Sequence, residues 1–237
     1  MPQTIAFVSQ TGNVMKTTIA AAMGITLAAA GLKVLAVDFD SEHRERGASI
    51  ATWLDERRVK HPGRPQLEIL TPRTAQEGLD GINRPEIDIA LLDCPSRATK
   101  ASFVLAADAH FTILPLPPGT KDATLTLSTI DQMLEEGIRP ERLAVILTRT
   151  GSDAEARDYI NWLRSANRGP INILTEHIPE QIAYRIALGR HLAITETPQV
   201  GVRVHARRAI DALIDAFDNA TTRTDIPPAA LDLRGAA

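Results

Sequence analysis

The sequence predicts an α/β protein: a doubly wound, mostly parallel sheet with helices on both faces, in a single domain. Three observations predict it. Seven or so short apolar runs, rich in Val, Ile and Leu, alternate with helix-permissive segments along most of the chain. Two of those runs end in carboxylates, at Asp38-Phe39-Asp40 and at Asp93. A third, the first of all, runs into a polar loop and then a helix that opens on Lys16-Thr17-Thr18. In open parallel sheets, ligands bind at the carboxyl ends of the strands, where all three features gather.

Taken in order, Thr4-Ile5-Ala6-Phe7-Val8 is apolar and β-branched enough for a buried strand. Ser9 to Met15 is a loop, and Thr17 to Ala30 a buried helix stopped by Gly31 at the C′ position. Lys33 to Asp38 is the second strand. Ser41 to Arg58 is charged and helical, with Ile50, Trp53 and Leu54 on its inner face. His61-Pro62-Gly63-Arg64-Pro65 breaks the pattern. A short strand at 67–70, a short helix at 74–79 and a strand at 87–93 follow. A helix at 100–107, a strand at 110–115 and an amphipathic helix at 121–136, closed by Gly137, continue the alternation. Strands at 143–148 and 171–174 and helices at 153–166, 180–188 and 202–217 complete the domain, which spans residues 1–219. From 220 to 237 the Thr-, Pro- and Ala-rich composition without periodicity predicts a flexible tail.

Strand, loop, Lys-Thr-Thr and buried helix is the layout of a phosphate-binding loop. There, backbone N–H groups and a helix N-terminus face an anion, a lysine reaches the β/γ-phosphates and a hydroxyl holds Mg²⁺. The standard pattern asks for glycine at two positions where this chain has Gln10 and Met15. Read alone, the lysine is equally a surface residue at a helix start.

Bulk properties set further bounds. With 44% apolar and 4% aromatic residues, the core is aliphatic. A net charge of −3 argues against general nucleic-acid affinity but leaves room for a local basic patch. One cysteine, Cys94, excludes an intrachain disulfide and suits a reducing cytoplasm. It lacks an identifiable base partner, so a small buried residue is its expected role rather than a nucleophile. The six histidines show no metal-ligand spacing. Trp53 and Trp162 are expected in the core or packed between helices. No apolar run approaches the roughly 20 residues that span a bilayer, and no signal-peptide pattern opens the chain; the expectation is a cytoplasmic protein.

With Gln10-Thr11-Gly12-Asn13-Val14-Met15-Lys16-Thr17-Thr18, Asp38-Phe39-Asp40 and Leu91-Leu92-Asp93-Cys94-Pro95 in this order, the chain resembles the ParA/MinD group of deviant Walker-A ATPases. The likeness covers about residues 3 to 218 and is greatest to short ParA-type partition proteins. Pro115, Lys121-Asp122 and the run from Ile178-Pro179 to Leu192 also sit where that group has its ligand loops. The resemblance implies ATP or ADP bound with Mg²⁺, and a loop formed by Thr11, Gly12, Asn13, Val14, Met15, Lys16, Thr17 and Thr18. It further implies that Lys16 contacts the β/γ-phosphates, Thr17 and Asp93 hold the magnesium, Asp38 supports its shell and Asp40 orients the attacking water. Arg149 and Pro179 fall where the group holds the adenine base.

This chain departs from the group's Lys-Gly-Gly-x-Gly-Lys-Thr pattern, with Thr11 for the first lysine and Asn13 and Met15 for two glycines. Asn13 tolerates the left-handed conformation that glycine supplies. Met15 places a side chain beside the phosphate cradle. Thr11 cannot send a charge to a partner's phosphates, which works against ATP-driven dimerisation and trans activation of a homodimer.

Arg203, Arg207 and Arg208 share one helix face, with Arg185 and Arg190 just before it. Two readings stand: a phosphate-tracking patch for non-specific DNA, as the resemblance implies, or a solvated helix face. The function expected from the resemblance is an ATPase switch in plasmid or chromosome partition, DNA positioning or conjugative transfer, with a DNA-bound adaptor as partner and nucleoid association as its setting. The alternative is a degenerate P-loop protein that hydrolyses little or no ATP and serves as an interaction module. A membrane role is not expected: Ile226 to Leu231 offers no amphipathic basic helix. An iron–sulfur carrier needs more cysteines.

Overall fold

The computed structural model describes residues 1–40, 49–96, 98–166 and 169–222. Strands β1 (Gln3–Phe7), β2 (Val34–Asp38), β3 (Glu68–Leu70), β4 (Ile89–Asp93), β5 (Phe111–Leu116), β6 (Leu143–Thr150) and β7 (Asn172–Pro179) form one sheet. Its order is β3-β2-β4-β1-β5-β6-β7. Every neighbouring pair is parallel, so the sheet is entirely rather than mostly parallel.

Helices connect the strands: α1 (Lys16–Ala29), α2 (Ile50–Lys60), α3 (Ala75–Ile82), α4 (Lys100–Asp108), α5 (Thr120–Glu135), α6 (Asp153–Ala166), α7 (Ile182–Gly189) and α8 (Val200–Thr222). Their starts follow from local chemistry. Ser49 and Thr74 accept hydrogen bonds from the backbone of Thr52 and Glu77, and Thr99 forms a capping box with Ser102.

Strand alternation divides the core between the two faces. Ile5, Phe7, Ala36, Leu91, Ile113 and Ile146 point to one face and pack with α1, α2, α7 and α8. Ala6, Val8, Val37, Leu92, Leu114 and Val145 point to the other, against α3 to α6. Helix α1 is apolar nearly all round, as a helix buried on the sheet must be.

The strands and helices predicted from the sequence are present, with differences at three places. Strand β7 runs to Pro179, five residues past the predicted end, because its outer half pairs with β6 across register shifts at Val145/Leu147 and Thr148/Thr150. Helix α8 is longer at both ends than the 202–217 expected and continues through Thr222 into the segment assigned to the tail. Trp162 is 44% exposed, its ring tilted against that of Tyr159 at the α6 surface rather than buried in the core. The start of the predicted helix at 41–48 and residues 223–237 lie outside the described residues.

Candidate phosphate and magnesium site

Strand β1 lies at the centre of the sheet, between β4 and β5. The chain leaves it toward β2 on one side, while β4 connects through α4 to β5 on the other. This reversal opens the crevice at the strand ends in which α/β sheets bind ligands.

The loop leaving β1 crosses that crevice. Its side chains are unusual for their backbone: Asn13 has φ 62° and Met15 φ 72°, both in the left-handed region. These are the positions at which the resemblance places glycines, so the loop keeps the glycine-like path without the glycines. Met15 is the N-cap of α1 and offers no side-chain cap, leaving the first-turn N–H groups without a side-chain acceptor from that position. The loop is latched from two sides. Thr148 Oγ1 donates to the Val14 carbonyl at 3.3 Å, and Arg149 Nη1 donates to the Asn13 carbonyl at 2.8 Å. Ser9 Oγ also donates to the Thr11 carbonyl at 2.7 Å. Thr11, Gly12 and Asn13 remain wholly or partly open to solvent, whereas Val14 is buried.

Lys16, the first residue of α1, is only 6% exposed. Its ammonium has no hydrogen bond or ion pair among the described residues. Thr17 Oγ1 donates to Asp93 Oδ2 at 2.7 Å, joining the helix start to the end of β4. Asp93 is buried, and its Oδ1 has no hydrogen-bond partner among the described residues. Burial pushes the Asp93 carboxyl up to about 7, aided by Asp38 and Asp40 and opposed by Lys16 and the Thr17 hydroxyl. Asp38 is the register partner of Asp93 on β2. Its two oxygens accept the backbone N–H groups of Asp40, at 3.0 Å, and Ala51, at 3.4 Å. Asp40 Oδ2 accepts from Ser96 Oγ at 2.9 Å. Ser96 thus joins the site, a participant that sequence reading missed because a lone serine after Cys94-Pro95 carries no spacing signal. Thr18, with Thr17, lines a cavity of about 290 Å³ between α1, α2 and α7.

A divalent hard cation fits this donor set: a hydroxyl beside a buried carboxylate whose second oxygen has no partner among the described residues, with two further carboxylates adjacent. The combined geometry can do one thing well. A buried lysine, a helix N-terminus and a loop of backbone N–H groups suit a polyphosphate, and the acidic cluster suits its counter-ion.

A model of the CobQ/CobB/MinD/ParA nucleotide-binding domain matches residues 5–194. The chain belongs to this family. Among solved structures, it is similar to the ATP complex of a McdA variant from Cyanothece, at 18% identity and TM-score 0.66, over 90% of this chain and 96% of that one. It is likewise similar to the MinD cell-division protein of Aquifex aeolicus, at 20% identity and TM-score 0.67, over 96% and 100%. A ParA-family ATPase from Chlorobium tepidum aligns at 16% identity and TM-score 0.64, over 93% and 99%. A search of curated proteins finds no match. The structural likenesses bear on fold; the family model carries the membership.

Arg149, itself left-handed at φ 58°, is engaged with the loop and with Glu180 at 2.8 Å. Pro179 is buried and pairs in register with Thr150, beside that latch. Cys94 is buried, and burial raises its thiol to about 12, which makes it inert. Arg203 and Arg207 donate to the backbone carbonyls of Thr197 and Thr195, and Arg208 pairs with Glu176 at 2.9 Å. Arg185 stands 3.9 Å from Glu180, and Arg185 and Arg190 are exposed. No helix among the described residues is long and apolar enough to cross a membrane.

Proposed function

We propose that the protein is a ParA-like switch that binds ATP with magnesium and hydrolyses it slowly. The observation that carries this reading is the convergence of Lys16, Thr17, Asp38, Asp40 and Asp93 at the ends of β1, β2 and β4, with Thr17 bonded to Asp93 and Lys16 buried beside them.

In this reading Lys16 and the backbone of residues 11–17 bind the β- and γ-phosphates. Thr17 and Asp93 hold the magnesium, directly and through water. The ion, when bound, neutralises charge on the phosphate oxygens. Asp40, positioned by Ser96, orients the attacking water. Asp38, through its bonds to the Asp40 and Ala51 backbone, keeps that arrangement aligned. Arg149 and Pro179 flank the base. Phosphoryl transfer asks the protein mainly for positioning and charge, which this set supplies. Calorimetric titration with ATP and Mg²⁺ tests it. Binding at sub-millimolar to millimolar nucleotide that Lys16→Ala abolishes is expected; a folded protein indifferent to millimolar nucleotide overturns it.

The biological setting we infer is the positioning or partition of DNA, by a homodimer working with a DNA-bound adaptor. Support comes from the ParA membership of the family and from the arginines at the α7–α8 face. Arg203 and Arg207 spend one N–H each on backbone carbonyls, which leaves guanidinium donors for phosphates. Binding to non-specific duplex DNA should weaken steeply with salt and be lost in Arg203→Ala/Arg207→Ala/Arg208→Ala; unchanged binding would defeat the DNA arm alone.

A further inference from the structure

A second group of metal-capable side chains lies away from the phosphate crevice. Asp153 opens α6, His177 lies near the end of β7, and His205 stands on α8. One ring nitrogen from each histidine and a carboxylate oxygen of Asp153 lie within 4.8 Å of one another. They border a cavity of about 260 Å³ at the open edge of the sheet.

We propose that Asp153, His177 and His205 form a binding site for a divalent transition ion of the zinc class. Two imidazoles and one carboxylate, with a further position left for water, are a common ligand set for such ions. His177 is already oriented for it. Its Nδ1 is 2.7 Å from the buried Thr150 Oγ1, and its Nε2 is 3.2 Å from Asp153 Oδ1. A hydrogen bond at the far nitrogen fixes the ring and directs the other nitrogen to the ion. Burial, then the His205 ring, hold the His177 imidazole below its usual value against the pull of Asp153 and Glu176.

Hydrogen bonding alone accounts for His177 but not for the cluster. The His205 ring stands edge-on to His177 with centroids 4.8 Å apart, and its Nε2 is buried with no partner among the described residues. A buried nitrogen left without a partner is costly, and a single ion can take one ring nitrogen from each histidine together with the carboxylate. Arginines also border the cavity, which raises the competing case of an anion. Arg208 is paired with Glu176, Arg164 donates to the Ile173 carbonyl, and Arg157 lies 3.7 Å from Asp158. The three atoms that converge are lone-pair donors, which favours the cation. Occupancy would tie the β6–α6 turn, the edge strand and α8 together, with Asp153 four residues along the chain from the Arg149 latch on the loop.

The test uses the full chain stripped of metal by chelation and then titrated with Co²⁺, followed by its visible absorption, and with Zn²⁺, followed by calorimetry. One equivalent of bound ion, intense low-coordinate Co²⁺ bands and a higher Tm with Zn²⁺ are expected. His177→Gln or His205→Gln should each weaken binding at least about 100-fold, and Thr150→Val about 10-fold through the lost orienting bond. His205 is only part-buried, so its variant keeps the test open if His177→Gln fails to fold. The proposal is overturned by an absence of saturable binding, by binding that survives in His205→Gln, or by inorganic phosphate binding at the cluster in place of the cation.

Discussion

Met15 and Asp93 are the residues at which local cost and function meet. A non-glycine residue in the left-handed region costs about 1–2 kcal/mol relative to glycine, partly offset by the extra entropy glycine loses on folding. Met15→Gly is therefore expected to leave stability level or raise it by about 1 kcal/mol. It should also tighten nucleotide binding, because it removes the side chain beside the phosphate cradle; a melt and a titration read both. Asp93 titrates higher in the folded, metal-free protein than in the unfolded chain, since burial opposes its charge. Its contribution to stability is fully present below the ordinary carboxylate range and is lost as pH rises through about 7. Two outcomes follow. Asp93→Asn should melt higher than the wild type above pH 7 without nucleotide, yet lose magnesium-dependent binding. Magnesium–nucleotide affinity in the wild type should fall as pH drops below 7, because the proton competes with the ion.

Among the elements, α2 and the α7–α8 connection are held together by a buried charge network. Arg57 is fully buried and forms two hydrogen bonds to Glu196, at 2.7 and 2.9 Å, with others to the Pro65 and His191 carbonyls. Its guanidinium also lies 5.7 Å from the Trp53 ring centroid. Burial alone would raise the Glu196 carboxyl, but hydrogen bonds from Arg57, the Ala193 backbone and Arg64 hold it below the usual carboxylate range. Removing one partner leaves the other charge buried, so Glu196→Ala should cost about 3–5 kcal/mol in urea unfolding. The depressed carboxyl contributes stability above the ordinary carboxylate range and loses it as acid protonates the folded form. The network sets the place of α2, whose first turn meets Asp38. The same substitution should therefore weaken nucleotide hydrolysis more than nucleotide binding.

At the scale of the whole molecule, the proposed coupling of nucleotide to assembly turns on Thr11. Thr11 is neutral and half-exposed at the outer rim of the loop, where the family resemblance places a lysine that reaches a partner's phosphates. Without that charge, the proposed homodimer should form to the same extent with and without ATP in sedimentation measurements. Thr11→Lys should make assembly nucleotide-dependent; a wild-type chain that already dimerises only with ATP would refute this. The parallel sheet was readable beforehand, since apolar runs alternating with helices predict parallel strands, but strand order comes only from the folded chain.

Lys16, Thr17, Asp38, Asp40 and Asp93 were legible because a strand end followed by a charge, or by a loop and Lys-Thr-Thr, is local in the chain. The sequence by itself therefore determined the strand–helix alternation, the aliphatic core and which residues stand at the candidate crevice. The rest depends on distance in space. The Ser96 bond to Asp40, the Arg149 latch on Asn13, the Arg57–Glu196 pair and the meeting of Asp153, His177 and His205 join residues far apart in sequence. Only the tertiary structure decided them, because side-chain contacts between strands, and across them to α8, depend on sheet order and register, which no local pattern encodes.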